Sequence, residues 1–444
     1  MNDMSKGKIL PQILNFAFFV FIGGLMQNLY LVINSIILGQ FVGNLALASI
    51  GIASTINFVV IGFCMGITQG FSINMAQSFG AGDFVRLRKL CYNAKLLTFY
   101  TGVVLTVALA IINTPLLKLM GTPSVLFDMT HSFLFVLYLG CIPLLYYNLY
   151  SGILRSVGNS VMPIVFLSLS VVMNTILTYI FVSAFNLELV GTAISTIISQ
   201  SISVFFSMLY VKKKYPILSI NNKEEKIKDK HLMKRLLNQG IPMGLQFSFT
   251  GIGFMVVQSF LNSFDTVYIA GYSIATRIQN ILNNIYVAIG AAVATFTSQN
   301  FGARKYHRIK KGVTSAAIVS VCLSLVSAFI ITHYGEAIAG LFSKDKTPEL
   351  IGATTNYFNT VFWGYPILSL LILYRNALQG HGLAFIAMCA GFVELGLRIC
   401  VVVFYTGQYG YDAICHADLV AWVATGLVIM IMYYFFQFRK YTYR

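Results

Sequence analysis

A chain of 444 residues with 57% hydrophobic and 10% charged side chains cannot cover itself with a water-soluble surface, since soluble domains average about 45–50% apolar and about 25% charged residues. Its net charge of +16, from 30 Lys and Arg against 14 Asp and Glu, would suggest nucleic acid in a soluble protein. In a chain of mean hydropathy +0.77 no basic groove is separable from the bilayer-facing surface, so nucleic acid is excluded as a partner and the lipid bilayer takes its place.

In chain order, apolar runs and polar breaks predict twelve membrane helices, at 10–38, 45–78, 92–114, 129–153, 160–184, 189–211, 236–262, 268–299, 312–334, 352–378, 382–406 and 413–437. Each is at least as long as the roughly 20 residues that span a hydrocarbon core about 30 Å thick. The first run is too long for a signal-peptide core and is followed at once by a second, so it is expected to be retained. Seven cysteines are scattered, without a C-x-x-C pair, and read as small buried hydrophobes.

The basic residues fall in alternate connections: Lys6 and Lys8, Arg86 to Lys89, Arg155, Lys212 to Lys214, Lys223 to Arg235, Arg304 to Lys311, and Arg439, Lys440 and Arg444. The intervening gaps carry none, or only Lys118, Lys344 and Lys346. Both termini and the basic loops are therefore expected on the cytoplasmic side. The longest polar stretch divides the chain into an N-terminal lobe (1–211), a cytoplasmic linker (212–235) and a C-terminal lobe (236–444).

The halves repeat. AQSFGAGDFVRLRK from Ala76 matches SQNFGARKYHRIKK from Ser298, an offset of about 222 residues from Phe79 to Phe301. LRSVGN at Leu154 pairs with LQGHGL at Leu378 near the same offset. Six helices return each half to the same side, so the lobes are expected to be parallel repeats related by a pseudo-two-fold axis along the membrane normal, with substrate handled between them. The fold class is thus all-α integral membrane, and the architecture is that of a transporter.

The doubled Q-x-F-G-A turn before a basic stretch, with Arg155-Ser-Val-Gly-Asn-x-x-x-Pro163 and Leu378-Gln-Gly-His-Gly382, resembles the bacterial MATE (multidrug and toxic compound extrusion) family across nearly the whole chain. The corresponding loop of the major facilitator type fits GAGDFVRLRK poorly. The resemblance implies an antiporter of a bacterial inner membrane, driven by Na⁺ or H⁺ and expelling small organic, often cationic, compounds by alternating access. Related flippases for lipid-linked oligosaccharides or polysaccharides are the alternative. Where many family members carry acids in the first, fifth and seventh helices, this chain has Asn34, Thr178 and Thr250. Asn174 keeps the family pattern. Asn34, Asn174 and Thr178 do not titrate near neutral pH, yet their oxygens suit a hard cation; they equally suit helix packing.

Few acids remain inside helices. Glu394 and Arg398 stand at i, i+4 in the eleventh predicted helix, on one face, as an ion pair or as a group that binds the coupling cation and releases Arg398. Asp418 is a further coupling candidate, or a carboxylate favoured by its helix N-terminus. Gln246, Thr250, Gln258, Arg277, Asn280, Asn283 and Asn284 crowd the seventh and eighth helices, a polar density that should partly line the central cavity. No H-E-x-x-H, G-x-x-x-x-G-K-[ST] or G-x-S-x-G occurs, so no enzyme, metal site or cofactor is expected, a membrane-embedded lipid or glycan enzyme being the remote alternative. A monomer suffices where two lobes enclose the cavity.

Overall fold

The computed structural model describes residues 3–218, 223–342 and 347–441. Lys344, Lys346 and Arg444 lie outside these residues, and the side chains of Arg439 and Lys440 are not described. The described chain is built of helices: α1 (Ile9–Phe41), α2 (Asn44–Gly80), α3 (Phe84–Leu119), α4 (Ser124–Leu139), α5 (Cys141–Ser156), α6 (Val161–Tyr179) and α7 (Glu188–Lys214) in the first half. The second half continues with α8 (Lys230–Leu261), α9 (Thr266–Gly302), α10 (Tyr306–Phe342), α11 (Pro348–Val361), α12 (Tyr365–Gly380), α13 (Ala384–Tyr409) and α14 (Tyr411–Tyr441). Among the described residues eleven spans are long and apolar enough to cross a membrane, α11 and α12 forming one of them, and the bent pair α4 and α5 makes a twelfth if counted as one span. The protein is an all-α, multi-pass membrane protein.

Two expected helices are broken. Instead of one rod at 129–153, α4 and α5 meet at 48° across Gly140, where a Cβ would lie 2.7 Å from Ile197 Cγ1 of α7. Glycine admits that close approach, and Pro143 just beyond it supplies no N–H to continue the ladder. The run at 352–378 is likewise interrupted by a 3₁₀ turn at Phe362–Gly364; a Cβ on Gly364 would stand 2.7 Å from Leu419 Cδ1, and Pro366 follows. Both breaks escape a hydropathy reading because every residue at them is apolar or small.

The segment expected as a linker is partly helical and partly pinned. α7 runs on through Lys214, Glu225 accepts from Arg88 Nε at 2.7 Å, and the Asn93 side chain accepts from Asp229 N–H at 2.9 Å.

The chain divides into two compact units, one centred on Ile22–Gly244, the other formed by Met4–Phe21 with Leu245–Arg444. In the first, α2 meets the start of α8 through glycines on both sides: a Cβ on Gly70 would lie 2.5 Å from Gly240 Cα. Arg235 then reaches Asn74 Oδ1 at 3.0 Å and Gln77 Oε1 at 3.4 Å. In the second unit the repeated motif holds the start of the chain, with Gln299 Oε1 accepting from Met4 N–H at 2.8 Å and Arg308 donating to the Gly7 carbonyl at 3.0 Å. The doubled Q-x-F-G-A turn thus does more than end a helix. Its polar side chains receive another helix start, which satisfies backbone and guanidinium groups at a crowded crossing.

Candidate functional site

In the second unit α12, α13 and α14 bring four charged side chains together. Arg398 Nη2 donates to Glu394 Oε1 at 3.0 Å, the i, i+4 pair expected from the sequence. Arg398 Nε donates to Asp418 Oδ1 at 2.9 Å. Asp418 lies two turns into α14 and is buried, so it is a partner of Arg398 and not a helix-terminal carboxylate. Arg375 Nη1 contacts Glu394 Oε2 at the longer distance of 3.4 Å. Two carboxylates and two guanidiniums leave the group electrically neutral, the condition under which charges survive burial.

Around this group the supports are specific. The Arg398 guanidinium lies over the Phe254 ring, 4.7 Å from its centroid, a cation–π contact that suits its unbonded Nη1. A Cβ on Gly253 would be 3.1 Å from that nitrogen, so the glycine leaves room for the guanidinium. The Tyr357 hydroxyl donates to Asp418 Oδ2 at 2.9 Å and also lies against the Gln279 amide. One hydroxyl proton cannot serve two acceptors, so with Asp418 ionised Gln279 presents its NH₂ to Tyr357.

The first unit contains a neutral counterpart. Tyr30 of α1 donates to Thr196 Oγ1 of α7 at 2.6 Å; Asn174 Nδ2 of α6 donates to the same oxygen at 3.3 Å. Thr196 gives its own proton to the Thr192 carbonyl at 2.8 Å, which fixes these directions. Thr178 reaches Asn174 Oδ1 at 3.4 Å. Asn34, one turn beyond Tyr30, is buried with its Oδ1 unpartnered. None of these groups carries charge.

The sequence pattern of this duplicated helical chain matches the MatE family model twice, over residues 20–180 and 242–404. The chain belongs to the MatE family. It is therefore a membrane transporter of the MATE multidrug efflux family, and the paired match restates the internal repeat. Among its relatives, the probable multidrug resistance protein YpnP of Bacillus subtilis is 26% identical over 382 residues, covering 86% of this chain and 84% of that protein. The multidrug export protein MepA of Staphylococcus saprophyticus is 22% identical over 442 residues, covering 98% and 95%. A solved multidrug resistance MATE family transporter of the MOP superfamily, in an outward-facing conformation, has a TM-score of 0.90 at 18% identity, with 98% of this chain and 97% of the other covered. A MOP superfamily transporter from Pyrococcus furiosus gives the same TM-score, identity and coverage.

In this MatE chain the six coupling candidates fall into two groups of three, Glu394, Arg398 and Asp418 in one unit and Asn34, Asn174 and Thr178 in the other. The seven cavity candidates lie on α8 and α9. Gln246 is buried and accepts from Gln379 Nε2 at 2.6 Å, with Thr250 one turn on bonded to the Gln246 carbonyl. Gln258 bonds Asn262 at 2.8 Å. On α9, Arg277 and Asn280 are exposed while Asn283 and Asn284 are half-buried, Asn283 with an unpartnered Oδ1. Sequence reasoning missed Arg375, Tyr357, Tyr30 and Thr196. Arg375 had a signal, since two intramembrane acids call for a second base besides Arg398. A tyrosine or threonine among many carries none.

Proposed function

We propose that this MatE transporter is a cation-coupled antiporter that expels small organic, cationic compounds across a bacterial inner membrane by alternating access, with both termini cytoplasmic, acting as a monomer. What supports coupling is the buried Glu394–Arg398–Asp418 network. Each charge placed alone in a helix centre costs roughly 2.5–3.5 kcal/mol on insertion scales, and well-packed apolar residues would hold these helices together as firmly. A cluster that can rearrange its ion pairs when a cation arrives gives such a cost a use. Glu394 is the exchanging group. It holds the longest contact, to Arg375, and Arg398 stays anchored on Asp418 when Glu394 lets go. The basic connections support the orientation, and the relatives' names support organic substrates.

The test is ethidium movement in inverted vesicles under separately imposed proton and sodium gradients. Wild type should move the dye under at least one gradient, and Glu394→Gln should fall to the rate of protein-free vesicles at equal expression. Unchanged movement in Glu394→Gln refutes the coupling role.

A further inference from the structure

We propose that the ion exchanged at Glu394 is a proton and that Arg398 and Arg375 bar sodium from it; this rests on the coupling role given to Glu394 above. All four carboxylate oxygens are occupied. Glu394 Oε1 and Oε2 face Arg398 and Arg375, and Asp418 Oδ1 and Oδ2 face Arg398 and Tyr357. A hard cation such as sodium needs several oxygens around it. At Glu394 it would find one carboxylate between two guanidiniums, and the cluster's neutral oxygens, on Tyr357 and Gln279, lie at the Asp418 end.

A proton needs one lone pair. Glu394 Oε2 offers it, because its only partner among the described residues is the 3.4 Å contact to Arg375. The step is a single transfer: hydronium gives its proton to Oε2 and leaves as water, the carboxylate becomes a neutral carboxyl, the long hydrogen bond to Arg375 is lost, and the pair with Arg398 loses its charge. Arg398 remains closed on Asp418 at 2.9 Å, so the deep end keeps its balance. The unmatched charge is then that of Arg375, whose side chain is 14% exposed against 1% for Arg398 and Asp418. Arg375 is the most exposed member of the cluster.

Other ionisable groups border the far end. Tyr272 of α9 faces Arg398 and Asp418, and Tyr365 of α12 and Cys415 of α14 border Asp418. Toward α13, α8 presents the neutral Phe254 and Gln246. Arg375 and Arg398 are therefore the charges that face Glu394, and they set which ion it accepts.

The experiment counts ions on the detergent-purified full chain, by potentiometric proton uptake and by radiolabelled sodium binding. The expected result is one proton more in wild type than in Glu394→Gln, with no saturable sodium binding that depends on Glu394. Arg375→Gln should keep that proton and take it up at higher pH, since one neighbouring cation no longer opposes it; an ion pair that only holds helices together gives no such shift. Sodium binding lost in Glu394→Gln, or identical proton titrations of wild type and Glu394→Gln, overturns the proposal. Ethidium that fails to move under either gradient while the proton is still counted removes the export reading instead, so the two failures are distinguishable.

Discussion

The two units of this MatE chain bury polar groups at comparable places along their helices but by opposite means. In the second unit Glu394, Arg398, Asp418 and Arg375 carry four charges that cancel. In the first, Tyr30, Asn34, Asn174, Thr178 and Thr196 carry none and rely on hydroxyl and amide bonds. Charge makes the one cluster costly to disturb. Neutrality makes the other tolerant and unable to take up a proton. A duplicated fold can thus keep its frame in both halves while assigning charge chemistry to one.

The sharpest way to break this contrast is Arg398→Met, which strands Asp418 as a buried anion and leaves Glu394 only its long contact to Arg375. It should cost about 3–5 kcal/mol, seen as loss of detergent-solubilised protein in thermal unfolding. Thr196→Val at the centre of the neutral cluster should cost far less, and equal losses would erase the distinction. Next comes Gly253→Ala, which sets a methyl about 3.1 Å from Arg398 Nη1 and should cost about 1–3 kcal/mol. Its diagnostic is a changed pH profile of proton uptake, because the guanidinium must shift; an unchanged profile would show that the glycine does not place Arg398.

Asn34→Asp carries an acid into the neutral cluster, where no described ion pair supplies a cation. Below its unfolded pKa, the carboxyl is protonated folded and unfolded, and stability matches wild type. As pH rises, the unfolded chain ionises first and the buried acid resists, so stability should fall by about 1–2 kcal/mol between roughly pH 4 and pH 7. Thermal unfolding across that range checks the sign, and stability that rises with pH would reveal a cation near Asn34. The smallest effect belongs to Thr178→Val, which removes one 3.4 Å hydrogen bond and should cost about 0.6 kcal/mol, the average for such bonds in membrane helices.

Much of the frame was legible because hydropathy acts through the bilayer, an external solvent that reads each segment separately. Glu394 and Arg398 were legible as a pair because helical spacing alone puts i and i+4 on one face. Asp418 was recognised without its role, since its partner lies on another helix. The breaks at Gly140 and Gly364 and the extension of α8 into the polar segment were not legible. They depend on what crosses the helix, Ile197 in one case and Leu419 in another.

By itself, then, the sequence determined a duplicated, all-helical membrane protein whose repeated Q-x-F-G-A turns mark equivalent helix ends, because helix length, period and basic flanks are local properties. Only the tertiary structure decided that those turns hold incoming helix starts, that Arg375 and Tyr357 complete the charged cluster, and that Asn34, Asn174 and Thr178 share a site with Tyr30 and Thr196. A hydrogen bond or ion pair needs its partner within about 3–4 Å, and residues tens or hundreds of positions apart reach that distance only through packing.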